Sequence, residues 1–166
     1  MTKSKPNGFL RLDLGWKGAG FKFVIAGGPY NNYVPGPNTF GVCVRAEHPR
    51  PNHLHVPIHD FSTPEDDDPV RAALLETLKA AIDGKEVYVG CMGGWGRTGL
   101  FLALLAKVAG IPDPVGYVRM FYSSRAVETI PQEDYVAELD VSSVRRKVLL
   151  YAWRKRLSPR RLFKCN

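Results

Sequence analysis

The chain has 166 residues, 45% of them hydrophobic and 23% charged, which suits one compact domain, or one domain with an appended arm, rather than a two-domain cofactor enzyme, and excludes a disordered main state. Its longest apolar run, Leu100 to Ala106, is far shorter than the roughly 20 residues that span a bilayer. No apolar stretch follows the polar start Met1 to Asn7, so neither a membrane span nor a signal peptide is expected, and three widely spaced cysteines that fit no disulfide framework make a reducing, cytoplasmic setting the default expectation. The net charge of +7 is unevenly placed: Val141 to Asn166 carries nine basic residues and no acidic one, while the remainder, with fourteen basic and sixteen acidic residues, is close to neutral.

In chain order, Phe21 to Ala26 reads as a short strand ending at Gly27-Gly28, and Pro29 to Pro37, with its Asn, Gly and Pro residues, as a loop. Phe40 to Ala46 and Leu54 to Ile58 are further extended pieces. After the polar loop that follows, an Asp/Pro cluster opens a helix whose apolar residues Val70, Leu74, Leu78 and Ile82 recur every fourth position, closing at Asp83-Gly84. Asp66, Asp67 and Asp68 suit the cap and first turn of that helix. Glu86 to Val89 is a buried strand, followed by a glycine-rich turn and a central helix, Thr98 to Ala109, apolar on nearly all sides. Beyond Pro112 the pattern is helical, broken near Ser123-Ser124 and Thr129 to Pro131. Strands and helices in this order predict an α/β fold with a central, mostly parallel sheet covered by helices. We read residues 1–139 as one domain with an N-terminal arm, and 140–166 as a basic helix and tail packed on it.

The turn Cys91-Met92-Gly93-Gly94-Trp95-Gly96-Arg97 carries the chemistry. It places a thiol and a guanidinium at its two ends, directly before a helix. Its glycines let backbone N–H groups turn inward as an anion nest, and the helix N-terminus adds its positive end. That field favours the sulfur anion, which is the nucleophilic form. Arg97 can grip two phosphoryl oxygens side by side, and Thr98 brings a hydroxyl to the sulfur. Met92, Gly93, Gly94, Trp95, Gly96 and Arg97 are the phosphate-binding candidates.

Cys91-x-x-Gly94-x-x-Arg97-Thr98-Gly99 after an apolar strand resembles the signature loop of the cysteine-dependent protein tyrosine phosphatases. Pro57 to Pro64 resembles the general-acid loop of the compact dual-specificity enzymes, most closely the kinase-associated phosphatase and the phosphatases of regenerating liver, and assigns the acid to Asp60. Arg125 to Gln132 resembles the segment that positions a glutamine near the attacking water, with Gln132 the candidate. The resemblance covers about Phe40 to Leu139. It implies a metal-independent phosphate monoester hydrolase working through a cysteinyl-phosphate, without a cofactor. A phosphorylated protein is the first substrate reading; phosphoinositides or RNA 5′-phosphates are the second, and a pseudophosphatase that binds phosphorylated partners without turnover is a third.

Each residue also has a plainer reading. Asp60 competes with Asp66, Asp67 and Asp68 for the acid role. His53, His55 and His59 alternate along one stretch as a metal cluster would, or as surface and turn residues do. Cys43 is a resolving partner for Cys91 or a buried strand cysteine, and with Cys165 the three thiols form neither a disulfide framework nor a paired metal site. The residue before the nucleophile, usually His in this superfamily, is Gly90, so one support of the thiolate is missing, and its return is expected to strengthen the site provided the strand end has room for an imidazole. The basic segment after Val141 is either a solvated helix face or a contact for a polyanion.

Overall fold

The computed structural model describes residues 4–15, 20–47 and 53–157. Its elements are β1 (Gly8–Leu14), β2 (Phe21–Pro29), a single 3-10 turn (Tyr30–Asn32), β3 (Thr39–Cys43), β4 (Leu54–His55), α1 (Asp67–Ile82), β5 (Glu86–Cys91), α2 (Gly96–Ala109), α3 (Pro114–Phe121), α4 (Ile130–Glu138) and α5 (Ser142–Leu157). The strands form one sheet in the order β1-β2-β5-β3-β4. β1 pairs antiparallel with β2 in the register Leu10↔Ile25, and all other pairings are parallel.

Alternation decides which way the strands face. Leu10, Leu12, Leu14, Ile25, Val42, Val87, Val89 and Cys91 enter one core together with the buried faces of the helices. Tyr88 and Cys43 point the other way, into a small cluster with Tyr30 and Tyr33. The helices therefore cover one face of the sheet, and the tyrosine cluster backs the other beneath β5. Parallel pairing makes Cys43 the register partner of Gly90 and not of Cys91, so the two thiols stand on opposite faces. Cys43 is a fully buried strand cysteine.

Helix boundaries follow local chemistry. The Asp66 carboxylate caps α1 by accepting the Asp68 N–H at 3.0 Å, and Asp67 and Asp68 occupy the first turn beside Arg71. Val70, Leu74, Leu78 and Ile82 are its buried stripe. α2 is buried along almost its whole length and ends at Gly110, in the left-handed region at φ 91°. Asp113 caps α3 through the Gly116 N–H, and Thr129 caps α4 through the Gln132 N–H. The N-terminal arm contains β1, an edge strand whose alternating Leu10, Leu12 and Leu14 reach the core. α5 lies against α1, with its Tyr151 hydroxyl and Lys155 on the Asp83 carboxylate. Arg160, Arg161, Lys164 and Cys165 lie outside the described residues.

Candidate active site

The site assembles at the C-terminal ends of the parallel strands, where open α/β sheets gather ligands. β5 ends at Cys91, whose neighbouring loop runs straight into α2. Cys91 is 3% exposed, and the Gly94 N–H donates to its Sγ at 3.2 Å. Gly94 itself is left-handed at φ 79°, and a Cβ there would stand 2.4 Å from the Gly28 carbonyl carbon, so only glycine fits. Thr98 accepts the Cys91 backbone N–H at 2.9 Å, which leaves its hydroxyl proton free to be donated.

Arg97 is buried and spans two carboxylates. Its Nη1 donates to Glu47 Oε2 at 2.7 Å and to the Ile58 carbonyl at 3.0 Å, and its Nη2 lies 3.1 Å from Asp60 Oδ1. Burial works against the Arg97 charge, but the Glu47 hydrogen bond and the charges of Cys91, Glu47 and Asp60 outweigh it and raise the guanidinium above its ordinary value. The same hydrogen bond holds the Glu47 carboxyl below the usual carboxylate range, against the opposing effect of partial burial. Glu47 is the site residue that the sequence reading missed. The available signal was its place just beyond the C-terminal end of β3, next to the thiol strand.

The loop after β4 and the segment before α4 are tied together. Gln132, fully buried, donates Nε2 to the Ser62 carbonyl at 3.1 Å and accepts the Glu128 N–H on Oε1 at 2.9 Å. Thr129 donates its hydroxyl to the Phe61 carbonyl at 3.3 Å. Phe61 and Val127 are the non-glycine residues with left-handed backbones among those described, at φ 57° and 58°, and each sits beside a carboxylate of the site, Asp60 and Glu128. The exposed Glu128 carboxylate lies against Gly96, so a side chain there would first have to displace it. The Arg125 guanidinium stacks 4.9 Å over the half-buried Trp95 ring.

Position 90 has no room for the imidazole that the resemblance would restore. A Cβ on Gly90 would stand 2.7 Å from the Gly28 oxygen and 2.9 Å from both the N and Cα of Tyr30. The expectation that a histidine there would strengthen the site depended on room for an imidazole, and that condition is not met: β2 and the turn after it pass too close. The three histidines go separate ways. His53 Nδ1 accepts the Gly41 N–H, His55 Nε2 meets the Arg45 carbonyl at 2.8 Å, and His59 lies at the surface 3.9 Å from Glu65. Among the described residues no group of three His, Cys, Asp or Glu could hold a metal ion, and no described helix is long and apolar enough to cross a membrane.

Residues 43–139 match the family model described as Swiss Army Knife protein, DSP-PTPase phosphatase domain (PTP-SAK). The chain is 42% identical over 86 residues to the uncharacterized protein MJECL20 of Methanocaldococcus jannaschii, covering 51% of this chain and 57% of that protein. It is likewise 42% identical over 98 residues to the uncharacterized protein MJ0215 of the same organism, covering 58% and 60%. The match thus spans less than two thirds of either relative. Among solved structures, Tk-PTP in its active form aligns with a TM-score of 0.53 and 26% identity over 61% of this chain and 78% of that one. Kinase associated phosphatase with its catalytic-site cysteine replaced by serine aligns with a TM-score of 0.55 over 89% and 98%, at an identity of 18% that speaks for the fold alone. The matched stretch contains the whole strand, loop and helix built around Cys91 and Arg97, and on that ground the chain belongs to the PTP-SAK family of dual-specificity-type phosphatase domains.

Proposed function

We propose that the chain is a phosphate monoester hydrolase that works through a cysteinyl-phosphate. The observation that carries this is the Gly94 N–H on the Cys91 sulfur at 3.2 Å, beside an Arg97 guanidinium already clamped for an oxyanion. The Cys91 thiolate attacks phosphorus in line; as the S–P bond forms and the P–O bond breaks, Asp60 gives its proton to the leaving oxygen. Arg97 and the amides of Met92 to Arg97 meet the charge of the equatorial oxygens, so the step asks for no metal and no cofactor. In the second step water attacks phosphorus, the sulfur leaves as thiolate with help from the Thr98 hydroxyl, and Asp60 takes the proton. Gln132 keeps one N–H and one lone pair beyond its two backbone bonds, and these orient that water.

In the resting site Asp60 sits on Arg97. An arriving dianion takes that place on the guanidinium, and Asp60, released from the ion pair, takes up a proton from solvent before it serves the leaving group. For substrate we put phosphorylated protein first, with phosphotyrosine included, because Phe61 and Ile130 are 61% and 74% exposed beside the Asp60 loop and offer an apolar rim to an aryl group. The test is turnover of p-nitrophenyl phosphate by wild type, Cys91→Ser and Asp60→Ala, followed by phosphopeptide, phosphoinositide and 5′-phosphorylated RNA panels. Cys91→Ser should leave less than about a hundredth of the wild-type rate. With poor leaving groups Asp60→Ala should lower the rate by about 10²–10⁴. Preference for the lipid or RNA substrate would replace the protein-substrate reading. Oxyanion binding by wild type without turnover would make the chain a phosphate-binding module.

A further inference from the structure

Two consecutive peptide units of the phosphate loop are gripped at their carbonyl oxygens. Asn7 donates Nδ2 to the Gly93 oxygen at 2.9 Å, and the Tyr122 hydroxyl donates to the Gly94 oxygen. In a planar trans peptide the C=O and N–H point in opposite directions. Holding the Gly93 oxygen outward therefore turns the Gly94 N–H inward, and that N–H is the one on the Cys91 sulfur. Holding the Gly94 oxygen does the same for the Trp95 N–H. Without these grips, a loop with glycine at both positions could flip a peptide and present a carbonyl to the sulfur anion.

Both grips depend on the β1–β2 hairpin, which lies outside the residues that match the family model. The Asn7 backbone N–H is itself fixed on the Gly27 oxygen at 2.8 Å. The Tyr122 ring lies against Gly27, where a Cβ would stand 2.7 Å from it, and the Tyr122 carbonyl is equally close to a Cβ on Gly8. Burial pushes the Tyr122 hydroxyl far above the usual tyrosine range, with the Cys91 and Tyr88 charges adding to it, so it stays a donor.

We propose that Asn7 and Tyr122 are positioning residues for Cys91: by pinning the Gly93 and Gly94 carbonyls they aim the loop amides at the sulfur and the phosphoryl oxygens, Asn7 from the start of the N-terminal hairpin and Tyr122 from the end of α3 packed on that hairpin, where position 90 has no room for such a support. This rests on the thiolate reading given above. The charged and titratable groups around the sulfur are Arg97 with its partners Glu47 and Asp60, and the hydroxyls of Tyr88 and Tyr122. Asn7→Leu changes none of them.

The test measures iodoacetamide alkylation of Cys91, resolved from Cys43 and Cys165 by peptide mass spectrometry, at pH 6 and at pH 9, the latter above the value of a free thiol. The ratio of the two rates reads how far the sulfur anion is favoured, separately from how open the site is. Asn7→Leu and Tyr122→Phe should each lower the pH 6 to pH 9 ratio about three- to tenfold, the worth of one aimed hydrogen bond, while the pH 9 rate stays within about twofold of wild type. Asn7 is exposed, so its variant is expected to fold, and thermal unfolding verifies this. A folded Asn7→Leu with the wild-type ratio overturns the proposal, and does so even where Tyr122→Phe fails to fold. Failure of the phosphatase reading shows elsewhere, as absent p-nitrophenyl phosphate turnover by the wild type, and leaves the alkylation comparison standing.

Discussion

Arg97 has two carboxylate partners before any substrate arrives, and they differ in what they do. Asp60 is mostly exposed and free to leave, whereas Glu47 makes the shorter contact at 2.7 Å. Glu47→Gln keeps the shape and removes the charge, so it should raise KM more than it lowers kcat. It also makes a pH test. Because the folded state holds the Glu47 carboxyl below its ordinary value of about 4.3, its contribution to stability is present above that value and is lost as pH falls through the lower folded one. The melting-temperature gap between wild type and Glu47→Gln should therefore be constant from pH 7 to about pH 5 and close at more acid pH; a gap independent of pH would rule out an ionic role. Sequence order hid this pair, since Glu47 and Arg97 lie 50 positions apart. Cys91, Arg97 and Gly94 were legible because one short turn contains all three. Gly90 was legible as a departure, but its cause is the backbone of Gly28 and Tyr30, a tertiary contact that no local pattern carries.

At the level of elements, the segment between α3 and α4 does more than connect them. Arg119 holds the Ala126 and Val127 carbonyls at 3.1 and 2.7 Å, steadying the strained turn that presses on Gly99 of α2 and sets Glu128 and Gln132 in place. The far end of α4 is closed by Lys107 of α2, whose Nζ donates to the carbonyls of Val136, Ala137 and Leu139 at 2.7, 2.7 and 2.9 Å. Burial pushes the Lys107 amine down, with Asp140 opposing. Lys107→Met would keep the stem and strip three helix-end carbonyls of their donor. It should cost about 1–3 kcal/mol, read as a melting point lower by about 3–10 °C; an unchanged melting point would mean that water replaces the amine without loss. α1 was legible from its four-residue stripe and its Asp cap. β1 was not read, although Leu10, Leu12 and Leu14 alternate with Phe9, Arg11 and Asp13, because a lone edge strand in a polar arm lacks the turn residues that marked the others.

On the scale of the whole molecule, charge and chemistry are separated. The site belongs to the near-neutral body, and the basicity belongs to α5 and the residues after it. Lys155 is engaged with Asp83, and Arg156 with the Gly20 carbonyl and the Phe21 ring. Arg146, Lys147 and Arg154 are exposed on the same helix as the exposed Leu150, Trp153 and Leu157. If the helix contacts a polyanion, replacing these three by Gln should reduce the slope of log affinity against log salt for a single-stranded oligonucleotide by about 2, with p-nitrophenyl phosphate turnover unchanged. An unchanged slope would leave α5 as a solvated face. The order of strands and helices was enough for a mostly parallel sheet covered by helices, but the strand order and the one-sided helix layer were not read, because they are set by which strands meet in three dimensions.

The stack of Arg125 on Trp95 has an optical consequence. The indole is built into the loop that would hold the phosphoryl group, and its π face carries a guanidinium that an incoming anion attracts. Its emission is therefore expected to change as the site fills, and an unchanged spectrum at saturating anion would mean that the stack is not disturbed by binding. With Trp16 and Trp153 replaced by Phe, a single fluorophore remains, and titration with orthovanadate or inorganic phosphate can follow filling of the site in real time without any label or chromogenic substrate.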